Sequence, residues 1–189
     1  MILVTAFKPF NNRNTNASEE VLKRIDASLN VYKAYLEVDL TRTIKDFTNA
    51  LKISNPDMII MLGEAGRSSY IEIEKEAHNI LDFKIEDNMG FKPKGLKIQE
   101  DMPDVLYTTK DVSMLVKHLE TSNFKVKESS DAGTFICNYL YFNALLKNSN
   151  SIFIHLPRLF NENNDNNVKT MDLDEMVDTI KEVINYYDN

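Results

Sequence analysis

The chain has 189 residues, of which 43% are hydrophobic and 27% charged, and a formal net charge of −7. That length suits one domain with a sizeable core, and the acidic balance argues against a nucleic-acid partner, whose phosphates call for a basic surface. A single cysteine rules out an internal disulfide and a cysteine-rich zinc site, and no metal is expected.

Ile2-Leu3-Val4-Thr5 reads as a buried strand, followed by the loop Lys8-Pro9-Phe10-Asn11-Asn12. The opening residues lack the basic stretch and length of a secretory leader. Asn16, with Glu19 three residues on, marks a helix start, and Val21, Leu22 and Ile25 supply its apolar face. Val31 to Val38 alternates as a strand, and Thr43 to Leu51 is helical with Ile44, Phe47 and Leu51 on one side. Met58-Ile59-Ile60-Met61-Leu62 is a fully apolar strand ending at Gly63, and Tyr70 to Ile80 partly alternates, with Ile71 and Ile73 in phase. A loop-rich excursion from Asn88 to Pro103 leads to a helix over Asp111 to Leu119 and a strand at Phe124-Lys125-Val126. A helix follows the lone cysteine region, then the strand Ile152-Phe153-Ile154-His155-Leu156-Pro157 and a polar loop from Asn161 to Asn167. The chain closes on a helix with Met176, Val177, Ile180, Val183, Ile184 and Tyr187 on one face. Strands and helices alternate without repeats or a linker, which points to an α/β sheet covered by helices on both faces. Sites in such folds collect at strand ends. No apolar run approaches the length of a membrane span, and a free thiol fits a reducing cytoplasm.

Asp131-Ala132-Gly133-Thr134-Phe135-Ile136-Cys137-Asn138 holds the only cysteine. Polar residues and one glycine make a tight turn, and a helical run with Phe135, Leu140, Phe142 and Leu145 follows. Cys137 therefore falls in the first turn of a helix. Unpaired N–H groups and the positive dipole end at such a position favour a thiolate and could hold an oxyanion. The bland alternative is packing, since free cysteine is among the most buried residue types. Three apolar strands end in polar residues: one at Thr5-Ala6-Phe7, one at Gly63-Glu64-Ala65-Gly66, and one carrying His155. A histidine within an apolar strand is more often a hydrogen-bonded core residue than a catalyst. His118 stands among Lys117 and Glu120 as a solvated helix residue, and position alone leaves His78 open. Glu72, Glu74 and Glu76 read as the charged outer face of a strand, and the pattern does not choose among them.

The stretch Ala-Gly-Thr-Phe-Ile-Cys-Asn at 132–138 resembles the cysteine motif of the pyroglutamyl peptidase I (pyrrolidone carboxyl peptidase) family. Gly63-Glu64-Ala65-Gly66-Arg67, the run to Glu74, and Asn79, Asp82 and Ile85 to Gly90 are similar to its glutamate region. Phe153 to Pro157 resembles its histidine strand, and Ile2 to Phe10 its opening strand and loop. Four motifs in the right order cover nearly the whole chain. The resemblance implies a catalytic triad of Glu74, Cys137 and His155, and a cysteine exopeptidase that removes N-terminal pyroglutamyl residues through a thioester. It implies a lactam pocket lined by Phe7 and Phe10, ring partners on main-chain groups near Glu64, and an oxyanion partner near Lys84. No cofactor is implied. The partners expected are pyroglutamyl peptides and copies of the chain in a homotetramer.

The chain also departs from the family pattern. The family usually has Gly at Ala6, an acidic residue at Lys8, Gly-Gly at Asn11-Asn12, Gln at Glu64, Arg one position after Arg67, Thr-Pro at Glu72-Ile73, and Arg at Lys84. Replacing Arg by Lys keeps charge but loses the planar fork. These departures leave two other readings open: a catalytically weak homologue acting as a binding or assembly protein, and an amidase for another acyl group. The expected fold is a single-domain three-layer α/β/α sandwich over residues 1–189, with a mixed, mostly parallel central sheet.

Overall fold

A computed structural model describes residues 1–26, 28–160 and 168–188. The elements run β1 (Ile2–Phe7), α1 (Ala17–Arg24), β2 (Val31–Leu36), α2 (Leu40–Ser54), β3 (Met58–Glu64), β4 (Ile71–Glu74), β5 (Glu76–His78) and β6 (Val105–Tyr107). They continue with α3 (Val112–Thr121), β7 (Val126–Ser129), α4 (Ile136–Lys147), β8 (Ser151–Leu156), β9 (Arg158–Leu159), β10 (Thr170–Met171) and α5 (Leu173–Asp188). The central sheet has the order β2-β1-β3-β8-β4-β7. Neighbours are parallel except β4 against β8, so β4 and β7 run opposite to the other four strands. The expected mixed, mostly parallel α/β architecture is what forms.

Strand periodicity splits the core in two. Ile2, Val4 and Ala6 of β1, Met58, Ile60 and Leu62 of β3, and Ile152, Ile154 and Leu156 of β8 face a cluster completed by α1, α3 and α5. Leu3 and Phe7, Ile59 and Met61, and Phe153 face the other cluster, completed by α2 and α4. Because both faces are covered, β1, β3 and β8 read as continuous apolar runs. The same alternation puts Phe7, Gly63 and His155, all near the C-terminal ends of three adjacent parallel strands, on the α2/α4 face.

Several boundaries differ from expectation for local reasons. β2 stops at Leu36, and Val38 lies in the turn before α2, which begins at Leu40 under the Asp39 side-chain cap on Arg42 N–H. The stretch from Tyr70 to Ile80 is two strands: β4 joins the central sheet, while β5 pairs antiparallel with the unanticipated β6. The strand expected at Phe124 begins at Val126, because Asn123 takes φ +62° and Phe124 N–H closes the end of α3 on Leu119. The short parallel pair β9–β10 was also unanticipated. Asn16 caps α1 through Ser18 N–H as expected, whereas Glu19 pairs with Lys23. Tyr187 is only partly buried on α5. The polar loop expected at Asn161 to Asn167 lies outside the described residues. Asn11 and Asn12 both have positive φ, +54° and +58°. Asn tolerates that left-handed region better than other side chains do, which is how it stands where the resembled family has glycine. No helix among the described residues is long and apolar enough to cross a membrane.

Candidate active site

Cys137 is the second residue of α4. α1, α2 and α3 each start under a side-chain cap, whereas α4 starts at Phe135 with none. Its first N–H groups, which no intrahelical acceptor can reach, lie in the same turn as the half-buried Cys137. The turn before the helix is fixed by Gly133 at φ +77°, by Asp131 Oδ1 accepting from Gly133 N–H at 2.9 Å, and by Thr134 Oγ1 donating to the Asp82 carbonyl at 2.7 Å. The next residue, Asn138, is fully buried and bonds the main chain of His78 and Ile80. Helix, turn and β5 are thereby locked together.

β3 brings Gly63 beneath the sulfur. A Cβ there would lie 2.7 Å from Phe153 Cζ and 3.0 Å from Cys137 Sγ, so only glycine fits. Gly63 is paired in register with His155 on β8. His155 is 4% exposed and its Nδ1 is 2.8 Å from Glu74 Oε1. Cys137 is close enough to raise the imidazole's proton affinity, and with Nδ1 held by Glu74, Nε2 is the nitrogen left for the thiol. Burial works to lower the imidazole pKa, but the Cys137 and Glu74 contacts outweigh it and raise it to about 9. Both contacts favour the protonated ring.

The three candidate glutamates have separate fates. Glu74 is wholly buried and is the one that reaches His155; its other oxygen accepts from Asp131 N–H at 3.2 Å. Glu72 pairs with Arg67 and Lys127, and Glu76 lies 3.3 Å from His78. The expected charged outer face is wrong for β4. The strand sits between β7 and β8, all four of its residues are buried, and its carboxylates are matched by cations. Desolvation by burial works to raise the Glu72 carboxyl, but its contacts with Arg67 and Lys127 outweigh that and hold it below the usual carboxylate range. His118 is not simply solvated, since its Nε2 is 2.7 Å from Glu182 on α5.

Cys137 opens on a cavity of about 70 Å³ lined by Phe7, Phe10, Val38, Phe135 and Ile136, with Asn16 and Glu64 at its polar side. Phe7 and Phe10 are therefore beside the thiol. Phe135 closes the wall by stacking at 5.7 Å on Phe10 and edge-on at 4.5 Å against Phe83. Phe135 reads as an apolar position of the helical run and instead stands just before α4, whereas Val38 and Asn16 come from distant segments that no local pattern connects to Cys137. The Glu64 side chain is 4% exposed and already engaged, by Arg13, by Arg158 at 3.3 Å and by Ala17 N–H at 2.8 Å. It binds the loop and α1 start that carry Phe10 and Asn16. Lys84 is not in the cavity. It is exposed and lines a wider groove with Arg67, Asp82, Asp131 and Phe135. The segment after β5 places it on the outer side of Phe135. Among the described residues no cluster of His, Cys, Asp or Glu could hold a metal ion.

A thiol, an imidazole and a buried carboxylate in this sequence of contacts make the chemistry of a cysteine hydrolase, set in a three-layer α/β fold. The family model of pyroglutamyl peptidase matches residues 1–187. The pyrrolidone-carboxylate peptidase of Thermosipho melanesiensis is 31% identical over 93% of this chain and 92% of its own. Pyrrolidone-carboxylate peptidase 1 of Caldanaerobacter subterraneus is 32% identical over 97% and 95%. The crystal structure of the pyrrolidone carboxyl peptidase of Fervidobacterium islandicum superposes with a TM-score of 0.91 at 26% identity, covering 99% of this chain and 97% of that one. That of Thermococcus litoralis gives 0.91 at 28% identity, over 97% and 91%. The chain belongs to the pyroglutamyl peptidase family and is a peptidase of the cysteine hydrolase class.

Proposed function

We propose that the chain removes N-terminal pyroglutamyl residues from peptides, with Cys137 as nucleophile, His155 as proton carrier and Glu74 as the group that orients His155. The observation carrying this reading is the small, largely apolar cavity between Phe7, Phe10 and Phe135 that ends on the Cys137 thiol, with the buried His155–Glu74 pair behind it. A flat, uncharged lactam suits such a cavity. A glutamate terminus would bring charges into it unpaired, at several kcal/mol. Cys137 Sγ attacks the pyroglutamyl carbonyl carbon, and the oxygen takes negative charge beside the uncapped N–H groups that open α4. The C–N bond breaks as the proton on His155 passes to the leaving amine, giving a thioester and a shortened peptide. Water then adds with His155 taking its proton, and Sγ leaves as pyroglutamate is released. The chain acts as a single domain over 1–189, a reading supported by one central six-stranded sheet with helices over both faces. Assembly as a homotetramer has apolar surface available at the exposed Met89, Phe91 and Leu96. The single free thiol fits a reducing cytoplasm.

Hydrolysis of a fluorogenic pyroglutamyl amide by wild type and Cys137→Ala, with a prolyl amide as control, tests this reading. Release of the pyroglutamyl group by wild type alone, with the prolyl amide untouched, is the expected outcome. No release by folded, reduced wild type would overturn the assignment.

A further inference from the structure

Among the lysines and arginines of the described residues, Arg67 is the one bonded to the Glu74 carboxylate. Its Nη2 is 3.1 Å from Glu74 Oε1, the oxygen that His155 Nδ1 reaches at 2.8 Å. Its Nε is 2.7 Å from Glu72 Oε2, and its Nη1 is 3.4 Å from Asp131 Oδ2. Nη2 also donates to the Asp131 carbonyl, and Asp131 N–H returns to Glu74 Oε2 at 3.2 Å. One planar fork thus ties two buried carboxylates of β4 to the first residue of the turn that delivers Cys137. The other charged groups nearby are otherwise engaged: Lys127 with Glu72 Oε1 at 3.0 Å, Lys75 with Glu128 at 3.1 Å, and Glu76 with His78 at 3.3 Å. From α4, Tyr141 donates to the Glu74 carbonyl at 2.9 Å and leaves its carboxylate alone. From the β3 and β9 side, Glu64 and Arg158 pair with each other.

We propose that Arg67 is a positioning residue of this site: it holds the Glu74 carboxylate against the Asp131 turn and divides that carboxylate's charge with His155. Two cationic donors on one oxygen compete for its lone pairs, and each weakens the hold on the other. Glu74 alone would bind the imidazolium tightly and make it a poorer acid toward the leaving amine. Arg67 offsets part of that hold while preventing the carboxylate from rotating away. With 36% of its side chain exposed, Arg67 exerts a partly screened field, so the effect is moderate. The inference rests on the reading of Glu74, Cys137 and His155 given above.

The test is the titration of the His155 imidazole by NMR in the full chain, with the resonance assigned through His155→Gln, together with kcat and KM on the pyroglutamyl amide. Arg67→Gln should move the His155 midpoint upward by about half a pH unit or more. It should also lower kcat at neutral pH by about tenfold or more, with KM changing less than about threefold. Lys127→Gln, which removes a cation from Glu72 but not from Glu74, should leave the midpoint where it is. Arg67→Lys keeps the charge but loses the fork. It should hold the midpoint near the wild-type value while kcat falls, and it decides the matter if Arg67→Gln does not fold. A wild-type midpoint and wild-type kcat in the folded Arg67 variant would overturn the proposal. So would an equal shift from Lys127→Gln, or a loss of stability with no shift. The titration needs no turnover, so an inactive wild type would count against the function proposed for the site and leave this test standing.

Discussion

Gly63 shows how little room the site leaves. Nothing about its φ demands glycine; the constraint is the approach of the Phe153 ring and the Cys137 sulfur to its α-carbon. Gly63→Ala should cost about 1–3 kcal/mol, as overpacking of a dense core does, and should displace Cys137. Urea unfolding would read the first effect, and slower alkylation of Cys137 by iodoacetamide in the folded variant the second. An alanine variant matching wild type in both would mean that the contact relaxes freely. Glu74 poses the complementary case. Sequence pattern makes Glu72, Glu74 and Glu76 equivalent because period 2 sets only the face, and all three share it. What separates them is where β8 lies. Glu72 is in register with His155 but is drawn toward Arg67 and Lys127, while Glu74, one diagonal step away, meets the imidazole.

α4 is set by its attachments as much as by its own sequence. Its first turn carries Cys137 and Asn138 side by side, one toward the cavity and one into three main-chain bonds with His78 and Ile80. Asn138→Ala would remove the side-chain partner of the part-buried His78 N–H and of the His78 and Ile80 carbonyls, of which the His78 carbonyl keeps the Ile80 N–H at 2.8 Å. A loss of about 2–3 kcal/mol in urea unfolding is expected, with β5 and the segment behind Phe83 loosened. Equal stability would mean that another group satisfies these atoms. The strands β1, β3 and β8 and the helix faces were legible because continuous apolar runs and 3.6-residue periodicity are strong local signals. β6, β9 and β10, two or three residues each, were not legible. Segments that short carry no period, and they form because a partner strand is brought alongside.

At the scale of the whole molecule, the buried His155 couples folding to pH. Its folded pKa of about 9 lies above the ordinary histidine value of about 6.5. The native state therefore holds a proton that the unfolded chain releases. The resulting stabilisation is fully present below about pH 6.5 and is lost as pH rises through 9. The urea midpoint of wild type should fall from pH 6 to pH 10 by more than that of His155→Gln, and parallel curves for the two proteins would refute the linkage.

By itself the sequence determined the α/β class, the apolar faces of the major elements, and, through four separated motifs, the family. These features depend on local periodicity and on residue identity, both of which are written in the chain. The motifs pointed to Glu74 through the resemblance, but only the tertiary structure shows it against His155, and it alone decided that Val38, Asn16 and Phe135 wall the space above Cys137, that Lys84 stands outside it, and that Arg67 reaches Glu74. Each of these depends on strand order and register. Those are set by long-range packing of the two core faces, and no local pattern encodes them.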